Sequence, residues 1–320
     1  MKRAVLLCSL FLFSSQAFPQ DTYSAALALV EVKDYAGAKR VLMAVIDRDG
    51  RDHQSRFLLG KLLGGPLREY DEAEEQLEKA VELAPDSAEY HFSLGNLYGF
   101  QAQNASIFSK LSYAGKVKDE FRRASELRPR NIRYRLALMS YYLRAPGIAG
   151  GSNDKAREQA AEIAKIDPYE GQMATAEVEA AAGNDENAEQ AYRRAIAMRP
   201  DEWRAYHRLG YFYMREKRGD DAITQFRKYV SVAPKDANSH DSLGEALLAK
   251  GSVEEALASY LAALSVDAFF PSSLQGAAKC YDRKGVRTEA ARYYRKYVDA
   301  SPAARDAKAA QERADELEGK

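Results

Sequence analysis

WRAYHRLGYFYMREKRGDDAITQFRKYVSVAP, residues 203–234, decides the fold of this chain because its pattern recurs downstream. The segments that begin at residues 237 and 271 carry the same residue types at corresponding places, so the three starts follow one another at equal intervals of 34. A tandem period of this length is typical of a solenoid of helix pairs. The sequence therefore predicts an all-α fold built by repetition.

The shared places have a physical reason in the packing of two antiparallel helices. Small residues at the eighth and twentieth places let the helices approach, large residues at the fourth, eleventh and twenty-fourth places fill the gaps, and proline at the thirty-second place stops the second helix. These places hold Gly210, Gly244 and Ala278; Ala222, Ala256 and Ala290; Tyr206, His240 and Leu274; Tyr213, Leu247 and Tyr281; Phe226, Tyr260 and Tyr294; and Pro234 and Pro302.

This pattern resembles the tetratricopeptide repeat, and the resemblance implies a right-handed α-solenoid of antiparallel helix pairs, the superhelix of that family. Further segments that read as second helices end at Gly50, Pro85, Pro129, Pro168 and Pro200. We therefore expect about eight repeats over residues 18–304 and a polar capping helix over 305–320. Tyr229 and Tyr297 depart from the pattern because they replace the small residue usual at the twenty-seventh place, and Ala268 replaces the proline.

Two repeats are longer than the others. The eighth place precedes the terminal proline by 24 in a regular repeat, as from Gly210 to Pro234, but by 34 from Gly95 to Pro129 and by 31 from Ala137 to Pro168. The sequence thus predicts insertions near 101–116 and 144–153, as enlarged turns between the two helices of each repeat.

The second insertion contains a glycine-rich stretch, RAPGIAGGSN at 144–153, which raises the question of a phosphate cradle at a helix start. A Walker loop needs Lys and then Ser or Thr directly after its last glycine, whereas Gly151 is followed by Ser152, Asn153 and Asp154. A dinucleotide fingerprint needs a preceding strand, and residues 132–143 read as a helix. We therefore interpret the stretch as a turn that Pro146 opens and that Ser152, Asn153 or Asp154 closes as a helix cap.

Composition and motifs narrow the function classes. Lys plus Arg equals Asp plus Glu at 47 each, and the pI is about 6.9, so no positive field favours nucleic acid. Only four histidines are present, without an H-E-x-x-H motif or a close His/Cys cluster, and no G-x-S-x-G elbow occurs. We expect no metal, no cofactor and no catalytic residue.

The N-terminus reads as a signal peptide. Lys2 and Arg3 precede an apolar stretch over 4–13, and Ser15 and Ala17 suit a cleavage site after Ala17. The expected product is exported, either periplasmic or secreted, without an integral membrane segment; an uncleaved anchor is the alternative. Removal of the segment would leave Cys280 as the single cysteine, so no internal disulfide could form.

The resemblance also implies where a partner binds. In this family the first helix of each repeat lines the concave groove, chiefly through the second, fifth, sixth, ninth, twelfth and thirteenth places. Aromatic and basic residues, which are favoured at binding hot spots, occur at these places in two repeats. They are Asn131, Tyr134, Arg135, Leu138, Tyr141 and Tyr142, and Arg204, His207, Arg208, Tyr211, Met214 and Arg215.

These observations predict a non-catalytic scaffold that presents a groove to a protein or peptide partner in a bacterial cell envelope. Arg204, Arg208 and Arg215 share one helix face, so we expect them to contact an acidic segment. The alternative is an envelope enzyme or glycan-binding protein whose site the two insertions form. The insertions would then meet in a polar patch of Gln101, Asn104 and Lys110 with Arg144, Gly147, Gly150 and Ser152.

Overall fold

The structure is a computed structural model that describes residues 22–320. The chain divides into two compact units, one ending at Ser152 and the other spanning Asn153–Lys320. Within the described range, 17 α-helices and no strand are present. The prediction of an all-α solenoid of antiparallel helix pairs is confirmed.

The unit that ends at Ser152 contains seven α-helices in its described part. In each of the first three pairs the second helix packs on the first, and the seventh helix packs on the sixth. The helices are α1 (Tyr23–Glu31), α2 (Tyr35–Arg48), α3 (His53–Leu62), α4 (Tyr70–Leu83), α5 (Ala88–Asn104), α6 (Ile107–Leu127) and α7 (Ile132–Arg144). A π-helical turn at Leu63–Leu67 follows α3, and a 3-10 turn at Gly147–Ala149 follows α7.

The second unit contains ten α-helices, and each packs on the next one in the chain. They are α8 (Asn153–Ile166), α9 (Pro168–Ala181), α10 (Asp185–Met198), α11 (Trp203–Arg215), α12 (Gly219–Val232), α13 (Ala237–Lys250), α14 (Val253–Val266), α15 (Pro271–Arg283), α16 (Arg287–Ala300) and α17 (Ala307–Glu318). First helices also contact one another across the intervening second helix, α11 with α13 and α13 with α15. The first helices of successive repeats therefore share a face.

Short polar side chains set the helix starts. Asp167 accepts hydrogen bonds from the backbone N–H groups of Tyr169 and Glu170 at the start of α9, where Pro168 supplies a pre-set φ. Asp236 caps α13 in the same way by accepting from Asn238 N. Gly251 ends α13 with a φ of +90°, a conformation that favours glycine.

Glycine at the eighth place allows the closest approach within a pair. A Cβ atom on Gly210 would lie 2.5 Å from the Phe226 ring, and one on Gly244 would lie 2.9 Å from the Tyr260 ring. Both aromatic residues hold the twenty-fourth place of the same repeat as their glycine, and both are buried. A side chain on either glycine would therefore force the helices of that pair apart.

The prediction of an enlarged turn at 101–116 is wrong. Gly95 meets Phe121 as Gly210 meets Phe226, but the difference in residue number is 26 rather than 16. The ten extra residues lengthen the helices instead, since α5 has 17 residues and α6 has 21, with only residues 105 and 106 between them. The stretch lacks proline, and Ser106 caps α6 by accepting from Ser109 N, so a helix forms where a loop was expected.

Tyrosine at the twenty-seventh place ties successive repeats together. The Tyr229 hydroxyl donates to Asp236, the cap of α13, and the Tyr297 hydroxyl donates to Asp306, which precedes α17. Both rings are buried. The departure from a small residue therefore gives each repeat a polar contact with the start of the next.

The last helix covers the end of the array. Ala307, Ala310, Ala314 and Leu317 of α17 are buried against α16. Arg313 donates to both carboxylate oxygens of Asp282 on α15, at 2.7 and 2.8 Å. The face of α17 that packs is apolar, and its charged residues lie at the edge of the contact.

No helix between residues 22 and 320 is long and apolar enough to cross a membrane. The predicted signal peptide at 1–17 lies outside the described residues, so its cleavage stays a prediction.

Candidate functional site

In the unit that begins at Asn153, side chains of successive first helices meet across the groove face. Residues at the groove places of one helix bond to residues 31 or 34 positions further on, as in Glu170 with Arg204 at 2.7 Å and Tyr211 with Glu245 at 2.8 Å. The fifth and second places meet likewise where Asn238 lies 3.3 Å from His207. The groove face is therefore a continuous set of inter-repeat contacts.

The basic residues predicted from α11 are already paired within the chain. Arg204 contacts Glu170 and Glu202, Arg208 lies 3.7 Å from Glu177, and Arg215 contacts Asp185 at 3.2 Å and Glu216 at 2.9 Å. Each cation has a carboxylate on the preceding repeat. An acidic partner would have to compete with those carboxylates, although such exposed pairs are worth only about 0.2–1 kcal/mol each.

His207 belongs to an aromatic cluster beside these arginines. Its ring lies edge-on to Tyr211 and Tyr229, with centroids 5.0 and 5.3 Å away, and Trp203 stacks on Tyr229 at 5.1 Å. Burial and the nearby Arg208 charge lower the pKa of His207. Because the Asn238 amide nitrogen can only donate, the His207 Nε2 atom accepts from it, which is the geometry of a neutral ring.

The predicted set on α7 is mostly buried. Tyr134, Tyr141 and Tyr142 are each less than a tenth exposed, and Leu138 is also buried. The Tyr134 hydroxyl donates to Glu89 at 2.9 Å, and the Tyr141 hydroxyl donates to a backbone carbonyl of the following loop. Asn131 caps α7 by accepting from Arg133 N, and Arg135 donates to the Pro129 carbonyl. The tyrosines of this set therefore serve the core in the unit that ends at Ser152.

The glycine loop after α7 folds onto itself. The N–H groups of Ala149 and Gly151 both donate to the Pro146 carbonyl, that of Gly150 donates to Gly147, and that of Ser152 donates to the Tyr142 carbonyl. Gly150 alone among the three loop glycines has a positive φ, +90°. A Cβ on Gly151 would lie 1.8 Å from the Ala145 oxygen, so only glycine fits there. These four N–H groups are committed to internal acceptors and are not directed at an anion.

The structure does not gather the predicted insertion-edge patch at one place. The glycine loop contacts α6, where the Lys118 side chain lies 3.7 Å from a Cβ built on Gly150. Lys110 stands two helical turns earlier on α6, about 12 Å along the helix axis. Gln101 is on α5 with a buried Oε1 atom that has no hydrogen-bond partner. Arg144 is exposed at the end of α7, and the side chain of Asn104 lies outside the described part.

The groove also contains a cavity that the sequence reasoning did not single out. It has a volume of about 410 Å³ and lies between α13 and α15. Its walls combine acidic, basic and aromatic side chains: Asp241, Glu245, Tyr260, Gln275, Lys279 and Arg283, with Gly276 at its side. Carrying the same groove places over to the repeats that start at 237 and 271 would have identified most of them.

Asp241 is the most buried charged group in the wall of this cavity, at 6% exposure. Its carboxylate accepts from Ser273 at 2.6 Å and from Ser272 at 2.9 Å. Burial raises the pKa of Asp241, and the two serine hydrogen bonds only partly oppose that effect. The ionised form is thus held at a cost in the folded protein.

The described residues contain no group of three or more His, Cys, Asp or Glu side chains arranged to hold a metal ion. Cys280 is a free, buried thiol, and burial raises its pKa to about 11. A thiol with so high a pKa is protonated near neutral pH and is a poor nucleophile.

Comparisons with known proteins bear on the family. The sequence model of the tetratricopeptide repeat matches residues 173–240, 220–273 and 242–305, and a second model of this repeat matches residues 68–101. The chain is 29% identical over 217 residues to tetratricopeptide repeat protein 37 of Xenopus laevis, and 25% identical over 201 residues to superkiller complex protein 3 of Mus musculus. These alignments cover 66% and 61% of this chain but only 13% and 12% of the relatives.

A solved tetratricopeptide repeat protein from Parabacteroides merdae has the same fold. The TM-score is 0.56 at 15% sequence identity, and the match covers 83% of this chain and 95% of that chain. Together with the regular sequence period, the repeated helix pairs and the glycine-to-aromatic packing within them, these matches show the family. The chain belongs to the tetratricopeptide repeat proteins, whose repeats suggest a protein-interaction scaffold.

Proposed function

We propose that this protein is a non-catalytic scaffold that binds a protein or peptide partner along the groove face of residues 153–320, and that it works in a bacterial envelope. The observation that carries the proposal is the cavity of about 410 Å³ between α13 and α15. It is a recess in a face that is otherwise closed by side-chain contacts between repeats. A partner segment can insert an anchoring side chain there, as hot-spot residues do in protein interfaces.

Two further features support a binding role. The aromatic cluster around Trp203 adjoins the same face, and this tryptophan is 37% exposed. The groove helices are fixed by inter-repeat hydrogen bonds, so the surface is pre-organised and loses little freedom when a partner binds. The envelope location is supported by the signal-peptide pattern of residues 1–17.

Site-specific photocrosslinking tests the groove. A photoreactive amino acid at Ala249, which lines the cavity and is exposed, should capture a discrete partner in intact cells. The same amino acid at Lys228, exposed on the second helix α12, is the matched control and should not. Equal capture from both positions, or none from Ala249, would contradict groove binding.

Cell fractionation and N-terminal sequencing test the location. We expect the protein in an envelope or secreted fraction, with Phe18 as its first residue after cleavage behind Ala17. Recovery from the cytoplasm with Met1 retained would contradict the envelope proposal and leave the binding proposal standing.

A further inference from the structure

The groove contacts follow a register that predicts what should stand at each position. The ninth place of one first helix meets the sixth place of the next: Glu177 lies 3.7 Å from Arg208, and Tyr211 lies 3.3 Å from Ser242. The next step of this register pairs Glu245 with Gly276. Where the earlier repeat supplies an arginine, this one supplies no side chain.

Gly276 cannot carry a side chain in this structure. A Cβ built on it would lie 2.3 Å from the Tyr260 ring, which is itself only 4% exposed. The cavity of about 410 Å³ opens beside these two residues. The position of the missing arginine is therefore an open space rather than a filled one.

Two carboxylates in the cavity wall have no cationic partner. Other acidic residues on this face are each paired with an arginine of the next repeat: Glu170 with Arg204, Glu177 with Arg208, and Asp282 with Arg313. Between residues 22 and 320, by contrast, neither Asp241 nor Glu245 forms an ion pair. Glu245 accepts a hydrogen bond from the Tyr211 hydroxyl, which leaves acceptor capacity on its carboxylate.

The Tyr260 hydroxyl is a third unsatisfied group. It lines the cavity on a residue that is only 4% exposed, yet no hydrogen bond joins it to any residue in the described range. Buried hydroxyl groups normally have a partner. An open, unpartnered one beside two carboxylates indicates that a donor from outside the chain completes the site.

The two cations of the opposite wall do not fill this role. Lys279 donates to the side-chain oxygen of Gln275 at 2.7 Å, and Arg283 donates to the Leu248 carbonyl at 3.2 Å. Neither charge affects the Asp241 carboxyl, whose pKa is raised by burial and by Glu245. The acidic end of the cavity therefore stays uncompensated.

We propose that this cavity binds the guanidinium group of an arginine side chain from the partner, placed between Glu245, Asp241 and the Tyr260 hydroxyl. A guanidinium offers five N–H donors in a planar fork, enough for all three acceptors, whereas an ammonium offers a compact point charge. The three acidic residues of the same face that are paired with the next repeat all take arginine rather than lysine. The inference rests on the proposed function, since the arginine belongs to the bound segment.

The test uses two small probes with the full chain, N-acetyl-arginine methylamide and N-acetyl-citrulline methylamide. Citrulline has nearly the shape of arginine but no charge. Binding is followed by the amide NMR signals of α13 and α15. We expect the arginine probe to bind at least tenfold more tightly than the citrulline probe, with shifts centred on Glu245 and Gly276. Equal affinity of the two probes would overturn the proposal.

Variants locate the site. Glu245→Gln keeps an acceptor for Tyr211 on an exposed side chain, so folding is not at risk, and it should weaken the arginine probe at least tenfold. Glu177→Gln, whose parent carboxylate is already paired with Arg208, is the control and should leave the affinity unchanged. Unchanged binding in Glu245→Gln, or tighter binding of N-acetyl-glutamate methylamide at Lys279 and Arg283, would overturn the assignment.

The outcome separates this inference from the proposed function. If crosslinking from Ala249 still captures a partner while the arginine probe fails, the arginine site is wrong and the scaffold proposal stands. If the probe binds as expected but no partner is captured, the cavity chemistry stands without the scaffold role.

Discussion

Gly210→Ala is the sharpest test of the packing that builds these repeats. The added Cβ would lie 2.5 Å from the Phe226 ring, so the ring would have to retreat by about 0.9 Å to reach an ordinary contact of 3.4 Å. Phe226 is fully buried, so its ring cannot swing out into solvent. Overpacking of this kind costs roughly 1–3 kcal/mol. Alanine returns about 1 kcal/mol through its higher helix propensity, so the net expected loss is about 1 kcal/mol.

Gly219→Ala is the matched control in the same unit. Nothing lies within 4 Å of a Cβ at Gly219, which is the first residue of α12. This variant should be unchanged or more stable by up to about 1 kcal/mol, because only the propensity term acts. The two alanine variants should therefore differ by about 1–2 kcal/mol in the free energy of unfolding, with Gly210→Ala the less stable.

Urea unfolding followed by the fluorescence of Trp203, the one tryptophan of the chain, reports on this unit. Trp203 lies on α11 with Gly210 and stacks on Tyr229, so loss of the packing exposes its ring. Phe226→Leu should partly relieve Gly210→Ala, and the double variant should lose less than the sum of the two single losses. If Gly210→Ala stabilises the unit as much as Gly219→Ala does, the close-approach argument is wrong.

Three other changes have defined outcomes. Replacing 146–151 by a short Gly-Ser turn should cost about 1–3 kcal/mol, because the Tyr141 hydroxyl loses its backbone acceptor; calorimetry checks this, and unchanged melting would make the loop a spacer. His207 should destabilise the fold as the pH falls below its ordinary pKa of 6.5, since the folded state disfavours the protonated ring. Trp203 fluorescence should follow that transition, and His207→Gln should abolish it. Asp241→Asn should raise the melting temperature at pH 7, because it removes a buried charge whose pKa is raised; the gain should shrink in acid as the parent carboxyl protonates, and an unchanged or lower melting temperature at pH 7 would contradict this.

The helix pairs could be predicted because their determinants lie within one repeat. Gly210 and Phe226 belong to the same repeat, and the small and large places recur at a fixed period, so composition at those places carries the fold. The insertion at 101–116 was misread because spacing shows that residues are added but not whether they lengthen helices or form a loop. The length of α6, 21 residues, is decided by the absence of a proline and by the Ser106 cap.

The state of the groove side chains was harder to predict, because their partners come from the next repeat. Arg204, Arg208 and Arg215 stand on one helix face as expected, but each meets a carboxylate of the preceding repeat. Tyr134 and Tyr141 occupy groove places by number, yet their rings are buried in this fold. A place number fixes the direction of a side chain on its own helix and says nothing about the residue that faces it.

This distinction indicates where a partner should act on the groove. Ion pairs between repeats satisfy most of its charges, and breaking them for a partner gains little because one exposed pair replaces another. At Asp241 the chain instead keeps a buried carboxylate between two serines, at a cost that a neutral Asn would avoid while still accepting a hydrogen bond. Folding alone does not require that charge. A cationic partner group gives it a use, since the same burial that raises the cost in the free protein strengthens the attraction once the cavity is filled.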